Sequence, residues 1–544
     1  MRKFAPLHHL SVGAASLAVN ALSLSAPLFI LQVYDRIIPN QATNTAALLG
    51  LGVLVALILE AALRMARAAI LEPLATRYEV SASVKAARHL FDADLSAFER
   101  ISPGVHLERL STIARRRDAG SGRALLAIYD LPFALVFLWM IWMLGGLVVA
   151  APLVGIAVLA VAAGPASVSS SRWMSKATAI DDRRYDFLVG ALSNLPSLKM
   201  SNLERPVLRR YEALQKRRLA MQGGAFSGEQ GLADLSQLVV QLSIIGVVAG
   251  GSLLVLSGDM TIGALSACTL LSGRFLGLGR NLVALASRIG ASNVARAHVE
   301  AIFDLPAASG AAGLMDAGKA PVALSLKGVV FAGDDGERVL DGVDLELEAG
   351  RTVGLVGDNG SGKSILLALA AGLYVPTEGE IRLAGRPLAD YSPDSLRRTI
   401  ALVSQQETLF AGTILDNICM FSRDRVDAAL AAAEETGLAD LVKPLPKGFA
   451  TRVGDGAADG LPRGVSQRIS LCRALALDPR ILLFDDANSA IDDQGDEKVE
   501  ALFARLHERC AILFVSHRPS VLGRADRILR LADGKVGAIE GGMG

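Results

Sequence analysis

The sequence predicts two domains of different classes, an α-helical transmembrane domain of six spans followed by an α/β domain. Of its 544 residues, 51% are hydrophobic and only 20% are charged, and the mean hydropathy is +0.40. This balance is too apolar for a soluble protein of this length. Long apolar runs fill the first half, whereas a glycine-rich loop and alternating strand and helix patterns fill the second.

Six apolar runs of about 20 residues, the length that crosses a hydrocarbon core, predict the spans. They cover residues 11–33, 45–63, 126–147, 148–168, 235–257 and 260–285. The third and fourth runs form one nearly uncharged stretch that Gly145, Gly146 and Pro152 interrupt. Because this stretch is about twice the length of one crossing, we expect two helices joined by a tight outer turn.

The distribution of basic residues predicts the orientation of the spans. Residues 64–125 and 169–234 are rich in Arg and Lys, whereas the short loops at 34–44 and around Asp259 carry almost no positive charge. The positive-inside rule therefore places the long segments and both termini in the cytoplasm. The apolar run after the N-terminal Met-Arg-Lys is too long for a signal peptide, so we expect it to be retained as the first span.

Glu60, Arg274 and Arg280 are charged residues inside the predicted spans, where charge is costly and often functional. Glu60 is expected to pair with Arg64 one helical turn later or to extend toward the interface. Arg274 and Arg280 lie six residues apart in the last span, so they point in directions about 120° apart. We expect Arg274 to face a water-filled pathway and Arg280 to form a structural pair.

Cysteine spacing and net charge exclude two classes of site. The four cysteines, Cys268, Cys419, Cys472 and Cys510, are far apart and include no CxxC pair. We expect reduced, packed thiols rather than a metal site or a disulfide framework. The net charge of +1 gives no general attraction to nucleic acid.

The sequence motif with the highest specificity is a phosphate-binding loop of the form G-x-x-x-x-G-K-[ST]. It consists of Gly357, Asp358, Asn359, Gly360, Ser361, Gly362, Lys363 and Ser364. An apolar strand at 352–356 precedes it and an apolar helix at 365–369 follows, which is the context that the motif requires. Its backbone N–H groups would surround a triphosphate, with Lys363 on the β- and γ-phosphates and Ser364 on Mg²⁺.

Composition divides the chain into a transmembrane domain at 1–304, a linker at 305–321 and a nucleotide-binding domain at 322–544. The linker is rich in Gly, Ala and Pro. Beyond it, strand patterns mix with helical ones, which indicates an α/β domain. The predicted strands are 323–331, 340–347, 352–356, 380–383, 481–485 and 511–515.

Further motifs follow the phosphate loop in a recognisable order. Gln405 is followed by Leu-Phe at 409–410 and Gly-Thr-Ile at 412–414. The apolar strand 481–485 ends in a carboxylate, and residues 489–492 are Ser-Ala-Ile-Asp. His517 follows the apolar strand 511–515. In this order they resemble the Q-loop, Walker B strand, D-loop and switch histidine of ABC transporters. With six preceding spans, the chain resembles an ABC exporter half-transporter, which works as a dimer.

This resemblance implies ATP and Mg²⁺ as cofactors and assigns roles to individual residues. The phosphate loop would bind ATP, with Phe331 as the nearest aromatic for the adenine. The implied Mg²⁺ ligands are Ser364, Gln405 and Asp485. The implied catalytic residues are Asp486, His517 and Gln405.

Short motifs in the first domain narrow the resemblance. Leu-Gln-Val-Tyr-Asp-Arg at 31–36, Tyr-Asp-Leu-Pro-Phe at 129–133, Gly-Arg-Phe-Leu at 273–276 and Asn-Ser at 488–489 are similar to the ATPase component of type I secretion systems. That family implies a polypeptide cargo, a periplasmic adaptor, an outer-membrane channel and a place in the bacterial inner membrane. Export of lipid or small amphiphiles, and a weakly hydrolysing partner subunit, remain the alternatives.

Three departures from the family pattern affect the implied site; the first two predict slow hydrolysis, the third concerns adenine stacking, and ATP binding is expected to survive. Leu-Pro-Arg-Gly-Val at 461–465 replaces the signature Leu-Ser-Gly-Gly-Gln, so that Ser and Gly donors to the γ-phosphate are lost. Asp486 replaces the Glu that polarises the attacking water, and Gly333 lies near the position of the adenine-stacking aromatic. The pattern is typical of one half of a heterodimer whose partner supplies an intact signature, and a homodimer with weak motifs is the alternative.

Overall fold

The computed structural model describes residues 6–120, 123–308, 315–318, 322–333, 335–405, 408–454, 461–486, 493–507 and 509–538. The chain forms two compact units, which are described separately below. The first contains Met1–Phe91 and Phe98–Leu305, and the second contains Asp92–Ala97 and Pro306–Gly544.

The regular elements that the structure describes before residue 305 are helices and helical turns. The helices are α1 (Pro6–Leu22), α2 (Ser25–Gln32), α3 (Thr43–Phe91), α4 (Leu95–Glu99), α5 (Pro103–Gly120), α6 (Arg123–Gly145), α7 (Ala150–Ser193), α8 (Leu195–Met200), α9 (Glu204–Leu256) and α10 (Ile262–Phe303). A π-helical turn, Val33–Ile37, follows α2, and a 3₁₀ turn, Gly146–Val149, joins α6 to α7. Helices α3, α7, α9 and α10 contain 49, 44, 53 and 42 residues. At about 1.5 Å per residue they are longer than a bilayer crossing requires, so part of each lies beyond the membrane.

In the described residues, five apolar helical segments are long enough to cross a membrane. They are Ser11–Ile37, Thr43–Phe91, Tyr129–Pro165, Gln230–Leu256 and Ile262–Val283. The third contains the junction of α6 and α7, where Gly146 has a φ of +52°. A residue with a side chain adopts that conformation only under strain, so the helix stops there and the expected pair of helices results.

The helices of the first unit enclose an apolar core and leave apolar residues on their outer faces. Phe137, Ile141, Leu271 and Leu276 are almost fully buried in one cluster. Large apolar residues on α3 and α6, including Trp139 at 57% exposure, face outward. In water this arrangement would be unfavourable, whereas in a bilayer the outward apolar side chains contact lipid.

A buried polar network connects α1, α3 and α6. Arg67 Nη1 lies 3.2 Å from Asp130 Oδ1 and donates to Ser16 Oγ at 2.8 Å. Asn20 Nδ2 donates to the same Asp130 oxygen at 2.7 Å. Arg67 belongs to the basic segment 64–125 that the sequence predicts to be cytoplasmic; its side chain is buried and is neutralised by a residue 63 positions away, which the sequence did not indicate.

A second carboxylate caps the last long helix. Thr261 Oγ1 donates to Asp35 Oδ2 at 2.7 Å, and the backbone N–H of Gly263 donates to Asp35 Oδ1 at 3.0 Å. A Cβ on Gly263 would lie 2.5 Å from this carboxylate. Asp35 therefore satisfies a free N–H group of α10 and places negative charge at its N-terminus, where the helix dipole favours it.

The second unit is an α/β domain. Its strands are β1 (Leu324–Ala332), β2 (Arg338–Leu347), β3 (Thr352–Val356), β4 (Glu378–Leu383), β5 (Arg386–Pro387), β6 (Ile400–Val403), β7 (Gly412–Thr413), β8 (Arg452–Val453), β9 (Ile481–Asp485), β10 (Ala511–Val515), β11 (Arg527–Ala532) and β12 (Lys535–Ala538). Its helices are α11 (Lys363–Ala370), α12 (Pro393–Thr399), α13 (Ile414–Cys419), α14 (Val426–Glu435), α15 (Leu438–Val442), α16 (Arg463–Leu475), α17 (Asp493–Leu506) and α18 (Pro519–Leu522). Each of the six predicted strands is present, with ends that differ by two residues or fewer.

The strands form one six-stranded sheet and one four-stranded antiparallel sheet. The order in the larger sheet is β12, β11, β3, β10, β9 and β6, and the order in the smaller one is β2, β1, β4 and β5. Strands β11, β3, β10, β9 and β6 are parallel, and β12 is antiparallel to β11. Strands β3, β9 and β10 are buried almost throughout. Such continuously apolar strands are typical of a parallel sheet that is covered on both faces.

Asp130→Asn should destabilise the first unit, because it leaves the Arg67 guanidinium buried without a counter-charge. Removing one partner of a buried ion pair costs about 3–5 kcal/mol, although Asn20 and Ser16 would still accept or donate hydrogen bonds here. Thermal unfolding of the full chain in nanodiscs measures the effect. Glu300→Gln is the control, since its pair with Arg296 is exposed, and an equal loss of stability in both variants would contradict the role of the network.

Candidate functional site

The carboxyl edge of the parallel strands collects the predicted site residues. The phosphate loop follows β3, Asp485 ends β9, His517 lies two residues beyond β10, and Gln405 lies two residues beyond β6. Parallel strands place their carboxyl ends at the same edge of a sheet, so groups that are up to 160 positions apart in sequence (357 to 517) lie along one edge. Ligands of open α/β sheets bind at this edge.

The backbone of the phosphate loop requires glycine at particular positions. Gly360 and Gly362 have φ values of +82° and +97°. A Cβ on Gly357 would lie 2.4 Å from the carbonyl oxygen of Leu531, and one on Gly362 would lie 3.0 Å from Val339 Cγ1. Side chains at these positions would therefore push the loop away from its neighbours.

Lys363 is the first residue of α11 and is 92% buried, with 8% of its surface exposed. Its ammonium group donates to the carbonyl oxygens of Gly357 at 2.8 Å and Asp358 at 2.7 Å. The side chain thus returns across the loop and places a positive charge inside it. The helix that follows presents its N-terminus at the same point, which favours an anion.

Ser364 and Asp485 form a pair of oxygen donors beside the loop. The Ser364 hydroxyl donates a hydrogen bond to the Asp485 carboxylate. Burial raises the pKa of Asp485 above its ordinary value, and the Ser364 hydrogen bond and the Lys363 charge oppose the rise. Within the part of the chain that the structure describes, the buried Ser361 hydroxyl has no hydrogen-bond partner. A hydroxyl, a carboxylate and an unpartnered donor beside a glycine cradle fit a phosphate group with Mg²⁺, which prefers oxygen ligands.

Asp486 follows directly in a left-handed conformation with a φ of +43°. Its N–H donates to the Val515 carbonyl oxygen at 3.0 Å, which connects it to β10. Asp adopts the left-handed region more readily than most residues. Burial raises the pKa of Asp486, and the neighbouring Asp485 raises it too, whereas His517 and Arg518 lower it. A carboxylate with a raised pKa is a stronger base.

His517 and Gln405 complete this edge, and both side chains are exposed. Phe331 lies on β1, where its ring is tilted against Tyr374 with centroids 5.6 Å apart, and it packs against the apolar core of this unit. Stacking of adenine on Phe331 stays a prediction. The predicted D-loop at 489–492 and Asn488 lie outside the described residues.

The altered signature forms a regular helix start. Pro462 is the N-cap of α16, and its carbonyl oxygen accepts from the N–H groups of Val465 at 2.8 Å and Ser466 at 3.3 Å. Val465 is 8% exposed and belongs to the apolar core around α13, α14 and α16. Arg463 is exposed on the first turn. Sequence reasoning identified the altered donors but did not anticipate that Val465 is a core residue.

The charged residues of the spans are arranged differently from the prediction. Glu60 pairs with Arg64, as expected, with 3.0 Å from Arg64 Nε to Glu60 Oε1. The same oxygen lies 3.7 Å from Arg274 Nη1. Arg280 is exposed and donates to Gln237 Oε1 at 3.2 Å. The assignment of the ion pair to Arg280 was therefore wrong, because the carboxylate on α3 lies opposite Arg274.

Comparison with known proteins identifies the relatives of both halves. The ABC transporter transmembrane region matches residues 10–278, and the ABC transporter family matches residues 340–489. The alpha-hemolysin translocation ATP-binding protein HlyB of Escherichia coli O157:H7 is 26% identical over 539 residues, covering 96% of this chain and 74% of that protein. The leukotoxin export ATP-binding protein LtxB of Aggregatibacter actinomycetemcomitans is 26% identical, with the same coverage.

A solved structure has the same fold along almost the whole chain. It is that of a bacterial Atm1-family ABC exporter with ATP bound, with a TM-score of 0.86 and 21% sequence identity. The match covers 98% of this chain and 95% of the other.

Asp485→Asn should stabilise the nucleotide-free protein at neutral pH. The pKa of Asp485 is raised in the folded state, so its contribution to stability is present below the ordinary Asp pKa of about 4 and is lost as pH rises through the raised value. The neutral Asn avoids this loss and can still accept from Ser364. The difference in unfolding temperature between variant and wild type should therefore widen from acidic to neutral pH. Asp440→Asn, at an exposed residue, is the control, and a difference that is independent of pH would contradict the prediction.

Proposed function

The chain belongs to the ABC transporters, and we propose that it exports a polypeptide across the bacterial inner membrane as one half of a dimeric type I secretion exporter. It is a membrane-embedded exporter with a C-terminal ATPase domain. The observation that carries the polypeptide proposal is similarity over 96% of the chain to proteins named for toxin translocation and toxin export. A periplasmic adaptor and an outer-membrane channel are the further partners that this function requires.

We assign ATP hydrolysis to the carboxyl edge of the parallel sheet. The phosphate loop and Lys363 bind the triphosphate, and Ser364, Asp485 and Gln405 would hold Mg²⁺, which supplies neutralisation of phosphate charge when bound. Asp486 accepts the proton of the attacking water, because it lies next to the metal carboxylate and its pKa is raised. His517 stands at the end of the adjacent strand β10, where it can contact the terminal phosphate.

We propose that the partner is a second, different half-transporter with an intact signature. Pro462 has no N–H, and the exposed Arg463 side chain does not reproduce fixed backbone donors. The start of α16 nevertheless forms a regular first turn, so the change alters phosphate contacts and not the fold. A homodimer with slow turnover is the alternative that the experiments below distinguish.

Stimulation of ATPase activity by cargo tests the main proposal. The purified full chain in nanodiscs, alone and with a co-expressed partner half-transporter, should hydrolyse ATP faster when an unfolded C-terminal peptide of a candidate secreted protein is added. Stimulation by lipids or small amphiphiles with none by peptides would favour the alternative exporter.

Lys363→Ala should lower ATP turnover by about a hundredfold or more while leaving membrane insertion unchanged, because it removes only the phosphate-binding cation.

Restoring the signature tests the role of the partner. Pro462→Ser with Arg463→Gly should raise ATP turnover about tenfold by returning backbone and hydroxyl donors. Val465 is left unchanged because it is buried, and Val465→Gln should lower stability instead. In a homodimer, adding Lys363→Ala to the restored chain cancels the gain in ATP turnover, because both phosphate loops are then altered. In a heterodimer the gain survives at the site that contains the restored signature, because the partner's phosphate loop completes that site. No gain in either setting would show that the signature does not limit hydrolysis.

A further inference from the structure

Glu60, Arg64 and Arg274, named here the Glu60 cluster, lie in the first unit; Glu60 and Arg274 are within its membrane-spanning part, and Arg64 follows Glu60 by one helical turn. Arg274 follows the first residue of α10 by 12 positions (262 to 274), or about 18 Å along the helix. Glu60 follows the first residue of α3 by 17 positions (43 to 60), or about 26 Å. Both distances fall inside a hydrocarbon core of about 30 Å.

One carboxylate serves two guanidinium groups in the cluster. Glu60 Oε1 accepts from Arg64 Nε at 3.0 Å and lies 3.7 Å from Arg274 Nη1. Glu60 Oε2 is buried and has no hydrogen-bond partner among the described residues. The three side chains therefore carry a net charge of +1. An unbalanced charge at this depth is costly unless it faces water or a ligand.

The excess positive charge lies on the more exposed side chains of the cluster. Glu60 is 7% exposed, whereas Arg64 is 50% and Arg274 is 38% exposed. The carboxylate thus lies behind the two cations and orients them. A guanidinium that keeps free N–H donors beyond such a pair has the fork geometry that binds a second carboxylate.

We propose that the Glu60 cluster is a binding site for carboxylate groups of the cargo in the transport pathway, an inference that rests on the polypeptide export proposed above. Arg274 is the residue that contacts the cargo carboxylate. Glu60 is a positioning residue, because it holds Arg274 of α10 against α3. Its negative charge also lowers the net positive charge of the cluster, so that the cargo is released after it has bound.

The test is equilibrium binding of two peptides to the full chain in nanodiscs of zwitterionic phosphatidylcholine. The fluorescent peptides have the same length, and one has Asp where the other has Asn. Wild type should bind the Asp peptide about tenfold more tightly than the Asn peptide, a ratio typical of one close charge pair. This preference should decrease as the salt concentration increases.

Two variants should move this preference in opposite directions. Glu60→Gln changes the net charge of the cluster from +1 to +2 and should strengthen binding of the Asp peptide, whereas Arg274→Gln changes it to 0 and should abolish the preference. A merely structural ion pair would make both variants weaker or equally unstable. Arg274→Lys, which keeps the charge, should retain part of the preference if Arg274→Gln folds poorly.

The matched control is Arg280→Gln, an exposed arginine of the same helix that contacts Gln237. This variant should retain the preference for the Asp peptide. Loss of the preference in Arg280→Gln to the same extent as in Arg274→Gln would overturn the assignment to the cluster.

Three further results would overturn the inference. Equal binding of both peptides by wild type would overturn it and leave polypeptide export standing. Absence of binding and of ATPase stimulation by either peptide would overturn both. Loss of the preference when anionic phosphatidylglycerol replaces part of the phosphatidylcholine would show that the site takes a lipid phosphate instead.

Discussion

The parallel arrangement of five strands is the constraint on which the candidate site depends. Because β3, β6, β9 and β10 all end at one edge, the phosphate loop, Gln405, the two aspartates and His517 meet there without any long-range motif in the sequence. The neighbouring strand β11 contributes through its backbone, since the carbonyl oxygen of Leu531 would lie 2.4 Å from a Cβ at Gly357. A strand that carries no functional side chain therefore determines which residue the loop tolerates.

Sequence patterns predicted the elements that a single physical rule governs. Span length follows from bilayer thickness, and the six predicted strands follow from continuous or alternating apolar residues. Strands β6, β11 and β12 were not predicted, because β6 has only four residues, β11 contains charged residues at exposed positions and β12 is an exposed edge. Of the site residues, the phosphate loop follows from its own motif, whereas Gln405, Asp485, Asp486 and His517 were identified only through the family resemblance.

Charged residues in the helical unit make contacts between helices that the sequence of one helix does not predict. Helical geometry gives the angle between Arg274 and Arg280 on their own helix but not the neighbour that each one meets. The neighbour decided the outcome: α3 presents Glu60 to Arg274, and α9 presents Gln237 to Arg280. Arg67 is a similar case, because nothing near it in sequence indicates that Asp130 neutralises it.

The carboxylates of the helical unit differ in how completely their partners balance them. Asp35 accepts from Thr261 and Gly263 at the start of α10, and Asp130 is matched by Arg67 and Asn20. Each arrangement is satisfied internally, which suits a residue that fixes helix positions. Glu60 lies beside two cations, and one of its oxygens has no partner in the described ranges of the chain. Since a fixed structural pair gains most from full compensation, the imbalance distinguishes Glu60 from Asp35 and Asp130, and it supports the proposal that Arg274, which Glu60 positions, binds the cargo carboxylate.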